Sequence, residues 1–207
     1  MSGVYVGVIG SAGRGADAKA MTSEIFGLMC QEAKRIIAED WKHINEQKSC
    51  DGLPEAHLRL TLVSGGSAWS DHVAVHLYLY DPLFAKAKLL LYLPCKFVND
   101  AFVDEQAWHT NAKTLNSLHN EFSTKLGRSS LADLKSAKEK GAQFDTSGRG
   151  FLARNLLLGK KATHLIAFSF ANGAEPTDGG TAHTWKHATT PTSNRRHVPI
   201  KSLNNKK

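Results

Sequence analysis

The sequence predicts an α/β domain built on a doubly wound, mostly parallel sheet of about five or more strands. Three observations predict it. Strand-like and helix-like segments alternate along the chain, as they do when parallel strands are joined by crossover helices. The segment Lys88–Leu93 is almost wholly apolar, as expected of a strand covered on both faces. Glycine-rich turns follow strand-like segments and precede helical ones, where open α/β sheets place their ligand sites.

The elements follow in order. Strands are expected at 3–9, 58–63, 88–93, 164–170 and 196–200. Residues 3–9 alternate small and β-branched side chains. A long helix is expected from Thr22 to about Gln47, capped by Thr22 or Ser23 and carrying Ile25, Leu28, Met29, Ile36 and Ile37 at helical spacing. Further helices are expected at about 68–80, 113–125, 130–140, 151–158 and 180–188, and 95–112 reads as irregular.

The chain has 207 residues, 42% of them apolar, which suits one packed domain over residues 1–200 followed by a basic tail over 201–207. The net charge is +7, but residues 194–207 carry +5 of it and leave only +2 for the rest. A nucleic-acid partner therefore ranks behind a small-molecule one, and the basic end reads first as a solvated terminus. No apolar run approaches the roughly 18 residues of a membrane span. Residues 1–10 lack the basic and apolar regions of a signal peptide. Three widely spaced cysteines (Cys30, Cys50, Cys95) suit a reducing compartment, so the expectation is a cytoplasmic protein without a membrane partner.

Four constellations carry chemistry. Gly10, Ser11, Gly13 and Arg14 lie in a turn between a strand and a helix, and its order G-x-x-G-x-G fits neither the dinucleotide fingerprint nor a P-loop. Ser64, Gly65, Gly66 and Ser67 follow the second strand, with Asp71 beyond them. That carboxylate suits either the helix dipole or a ribose hydroxyl. Asp178, Gly179, Gly180 and Thr181 open a late helix, whose amides and hydroxyl favour an anion. Between the last two, Arg149 and Arg154 suit a phosphate and Asn155 a base or sugar. His72 and His76 share a helix face, but no acidic or thiol ligand completes a set, so no metal and no cofactor are expected.

A strand ending in Gly10-Ser11, then Ser64-Gly65-Gly66, then Asp178-Gly179-Gly180-Thr181 before a helix, resembles the SLOG superfamily over residues 3–200. That group includes DprA and the LOG-type enzymes. The resemblance implies a Rossmann-like fold that binds a nucleotide or nucleotide-derived signal, such as a cyclic ADP-ribose-type molecule. Stand-alone members of this size suggest sequestration or sensing of a signal in phage–bacterium conflict, and homo-oligomers fit as well. LOG-type hydrolases carry a glutamate three residues after the threonine of P-G-G-x-G-T, where this chain has Thr184. A hydroxyl cannot replace that carboxylate as a base. Binding is therefore expected over catalysis. The alternatives are an N-glycosidic phosphoribohydrolase using Asp71 or Asp178, and a single-stranded nucleic-acid binder.

Overall fold

The computed structural model describes residues 3–50 and 59–204. The elements are β1 (Val4–Gly10), a one-turn α1 (Asp17–Ala20), α2 (Ser23–Cys50), β2 (Leu60–Ser64), α3 (His72–Tyr80) and β3 (Lys88–Tyr92). Next come β4 (Lys96–Val98), β5 (Ala101–Val103), α4 (Asn111–Leu126), α5 (Ser130–Glu139) and β6 (Gln143–Asp145). The chain ends with α6 (Phe151–Lys161), β7 (His164–Ser169), α7 (Gly179–His187), β8 (Arg195–Pro199) and α8 (Ile200–Leu203).

Six strands form one sheet in the order β6-β3-β2-β1-β7-β8, and every pairing is parallel. All five strands expected from the sequence lie in it, displaced by a residue or two at their ends; residue 58 lies outside the described residues. Side-chain alternation divides the strands between two cores. Val4, Val6, Val8, Leu62, Leu89, Leu91, Ile166 and Phe168 pack under α2 to α5, against Met29, Ile37, Val73, Leu115, Phe122 and Leu134. Ile9, Val63, Tyr92, Leu165 and Ala167 pack under α6 and α7, against Leu158 and Trp185. Helices thus cover both faces, which is the doubly wound arrangement. Thr22 caps α2 as expected, its Oγ1 accepting from the Ile25 amide at 3.2 Å.

Three details depart from the sequence reading. The segment 95–112 contains the β4–β5 hairpin, which buries Phe97 and Phe102 and turns at Asn99 and Asp100, both at positive φ. β6 adds an edge strand that was not expected. The expected boundary between domain and tail at 200/201 falls inside α8, where Ile200 and Leu203 are buried against the larger core. Arg195 is also built into the body. Its guanidinium donates to the carbonyls of Thr190, Trp185 and Ala188 at 2.8–2.9 Å, closing the carboxyl end of α7. Among the described residues no helix is long and apolar enough to cross a membrane.

Candidate functional site

Successive strands leave β1 in opposite directions: β2 and β3 to one side, β7 and β8 to the other. Loops at the carboxyl ends of β1 and β7 therefore part, and a crevice opens between them. It holds a cavity of about 550 Å³. Ile9 to Ala12 and Arg14 line it after β1, and Ser67 and Asp71 after β2. Phe151, Leu152, Arg154 and Asn155 come from the start of α6, Ser169 and Phe170 from the end of β7. Asp178 to Thr181 and Thr184 come from the start of α7. Two helix N-termini, of eleven and nine residues, thus open onto one space.

The cavity wall contains a buried ion pair. Arg154 Nη1 donates to Asp71 Oδ2 at 3.2 Å, and both side chains are buried. The Ser67 amide donates to the same oxygen at 3.2 Å, and a Gly10 backbone bond also supports the carboxylate. Burial pushes the Asp71 carboxyl up from its ordinary value, while Arg154 and these amides pull it back. The two roles considered for Asp71 meet a third here: it makes no capping bond to α3 and turns toward Arg154 instead. Two further atoms in the cavity wall are buried without a hydrogen-bond partner, Ser67 Oγ and Arg154 Nε.

Arg14 approaches from the β1 turn, its guanidinium carbon 5.1 Å from the Phe151 ring centre; that of Arg154 is 5.9 Å from the same ring. Partial burial and the Arg154 charge hold Arg14 below the ordinary guanidinium value, with Asp71 pulling the other way. Ser11 Oγ donates to Asp17 Oδ2 at 2.9 Å and accepts the Gly13 amide at 3.2 Å, which ties the turn together. Asn155 Nδ2 donates to the Gly180 carbonyl at 3.2 Å and so locks α6 to α7. Thr184 Oγ1 donates to that same carbonyl at 3.0 Å.

The structure brings Gly10, Ser11, Arg14, Ser67, Asp71, Arg154, Asn155, Asp178, Gly179, Gly180 and Thr181 to one cavity. Gly13, Ser64, Gly65 and Gly66 lie behind it as scaffold. Ser64 Oγ sits 2.7 Å from the Val8 carbonyl and 2.9 Å from that of Asp71. Gly13 packs on Trp69. Gly65 leaves room for Arg154, because a Cβ there would coincide with Nη1. Gly66 has φ +68°, and a Cβ there would run into Leu93, away from the cavity. Arg149 does not join Arg154; it is exposed and faces Glu105 at 3.8 Å.

His72 and His76 also part company. His72 Nε2 lies 3.0 Å from Asp133 Oδ2, and His76 Nδ1 accepts from Arg128 at 3.0 Å. Among the described residues no group of three or more His, Cys, Asp or Glu side chains is placed to hold a metal ion. Sequence reasoning missed Phe151, Phe170, Ser169 and Asp17. The signal for Phe170 and Ser169 was available, since the residues ending a parallel strand reach the sheet edge.

No family model matches the chain, and no solved structure matches it. Over 186 residues it is 32% identical to "Uncharacterized protein R261" of Acanthamoeba polyphaga mimivirus, covering 89% of this chain and 91% of that protein. At that identity and coverage, this chain belongs to the same protein family as the mimivirus protein.

Proposed function

We propose that this protein binds a nucleotide or nucleotide-derived ligand in the cavity at the carboxyl edge of the sheet, and holds it without cleaving it. The observation that carries the reading is the pair of buried, unpartnered polar groups in the cavity wall, Ser67 Oγ and Arg154 Nε. A buried polar group left unsatisfied costs about 1–3 kcal/mol. A phosphate supplies acceptors for both. The first amides of α7 have no intrahelical acceptor, and with the Thr181 hydroxyl they suit the same group. Phe151 and Phe170 offer flat apolar area for a base, and Asp178 and Asp17 accept hydroxyls of a sugar.

Binding is favoured over hydrolysis by two arrangements. Asp71 is committed to Arg154, and Thr184 is buried and bonded into its own helix. Sequestration or sensing of a nucleotide-derived signal in phage–bacterium conflict is the role this binding would serve. A SLOG-like ancestry, a cytoplasmic location and a homo-oligomer belong to the same proposal. The test is incubation with nucleoside monophosphates and cyclic ADP-ribose isomers, then chromatography of what is released. Recovery of intact, retained ligand supports binding. Multiple turnovers yielding free base, abolished by Asp178→Asn or Asp71→Asn, would replace it with an N-glycosidic hydrolase.

A further inference from the structure

Behind the cavity lies a buried histidine for which the binding reading has no use. We propose that His119, as the tautomer carrying hydrogen on Nε2, is a positioning residue that fixes the Gly66–Ser67 peptide and, through it, the Asp71–Arg154 pair in the cavity wall. The proposal rests on the reading of that cavity as the ligand site.

His119 lies on α4 and is fully buried. Its Nε2 is 3.1 Å from the Gly66 carbonyl oxygen, which can only accept. Nε2 therefore carries the hydrogen. Nδ1 is left with a lone pair, 2.9 Å from Ser130 Oγ. Ser123 Oγ donates to the His119 carbonyl at 2.6 Å and accepts the Ser130 amide at 2.9 Å, while the Ser130 hydroxyl lies within reach of Nδ1 at 2.9 Å, of Ser123 Oγ at 2.9 Å and of the His119 carbonyl at 3.2 Å. Burial, followed by the nearby His72, pushes the ring's value down to about 3 and keeps it neutral.

The consequence reaches the cavity through one peptide unit. The Gly66 carbonyl and the Ser67 amide belong to the same planar group and point in opposite directions. One end is held by His119 and the other donates to Asp71 Oδ2 at 3.2 Å. That oxygen also takes Arg154 Nη1. Gly66, at φ +68°, is the residue about which such a peptide turns most easily. Without the His119 donor, the Gly66 carbonyl is a buried orphan and the peptide is free to rotate. Rotation removes the Ser67 amide from Asp71 and moves Ser67, whose side chain lines the cavity.

The test compares two polar replacements in the full chain. In His119→Gln the amide nitrogen reaches as far as Nε2 and still donates to Gly66. In His119→Asn it reaches only as far as Nδ1. Two readouts are taken: hydrogen exchange at the Ser67 amide, and AMP affinity by calorimetry. His119→Gln is expected to retain both. His119→Asn is expected to speed Ser67 exchange and weaken AMP by about tenfold, the loss of roughly one hydrogen bond. Long-range ¹H–¹⁵N spectra of the wild type should show the Nε2–H tautomer. An Nδ1–H tautomer, or Ser67 exchange that is equal in the Gln and Asn variants, overturns the proposal. If AMP and cyclic ADP-ribose fail to bind even the wild type, the ligand reading falls, while Ser67 exchange still decides the relay.

Discussion

Gly65 is the sharpest probe of the buried pair. Alanine is compatible with its backbone, which lies outside the left-handed region, but the new Cβ would occupy the position of Arg154 Nη1 and stand 2.6 Å from Asp71 Oδ2. The guanidinium is the free end of a long side chain, so it moves and the fold stays. Asp71 is then left buried without its cation. Breaking a buried pair in this way costs about 3–5 kcal/mol. Protonation of Asp71, whose value burial already raises, recovers part of that. A loss of about 3 kcal/mol is expected for Gly65→Ala, and a similar loss for Arg154→Ala. The double variant should lose little more than Arg154→Ala alone, because the methyl then meets only Asp71 Oδ2, which can turn into the space the guanidinium leaves, and a compatible Gly→Ala change stabilises by about 0.4–1 kcal/mol of its own. Urea unfolding of the four proteins at pH 7 gives the cycle. Strict additivity, or a neutral Gly65→Ala, would refute the argument that Gly65 exists to admit Arg154.

Other expectations are more direct. Gly180→Val should abolish ligand binding at a stability cost near 1 kcal/mol, since a Cβ there meets only Asn155 Nδ2 at 3.3 Å, whereas Gly66→Val should destabilise the fold through Leu93 and its positive φ; thermal melts beside calorimetry separate the two. Leu203→Ala should cost about 2–4 kcal/mol by denaturant, because α8 is part of the core. The folded-state value of His119, about 3, lies below its ordinary 6.5, so the unfolded chain binds the extra proton between those values. The stability it contributes is complete above about pH 6.5 and drains as pH falls toward 3, by up to about 1.4 kcal/mol per pH unit. His119→Gln should flatten the stability profile between pH 6 and 5 by about one proton, and unchanged slopes would contradict this.

The fold was legible because its signals are local. The run Lys88–Tyr92 is apolar on both faces, and each strand near the cavity ends in a turn of glycine or serine. β6 escaped because Gln143–Asp145 is too short for any period, and the β4–β5 hairpin because Asn99-Asp100 stands where Asn-Gly would have announced a turn. The lining of the candidate site was legible by residue type and less so by direction. Ser67 and its neighbour Gly66 read alike in the sequence, but one lines the cavity and the other faces Leu93. Arg149 and Arg154 are five residues apart, and only the helix start at Phe151 separates their destinations. The pairing of Asp71 with Arg154 spans 83 positions and leaves no local mark.

Calorimetric titration of AMP, ADP-ribose and cyclic ADP-ribose into wild type and Arg154→Ala tests the central claim most directly. At least one of them is expected to bind the wild type saturably, one per chain, and to bind Arg154→Ala about tenfold or more weakly, the loss of a charge-assisted hydrogen bond. Absence of binding by all three at millimolar concentration, or equal affinity for both proteins, would contradict it.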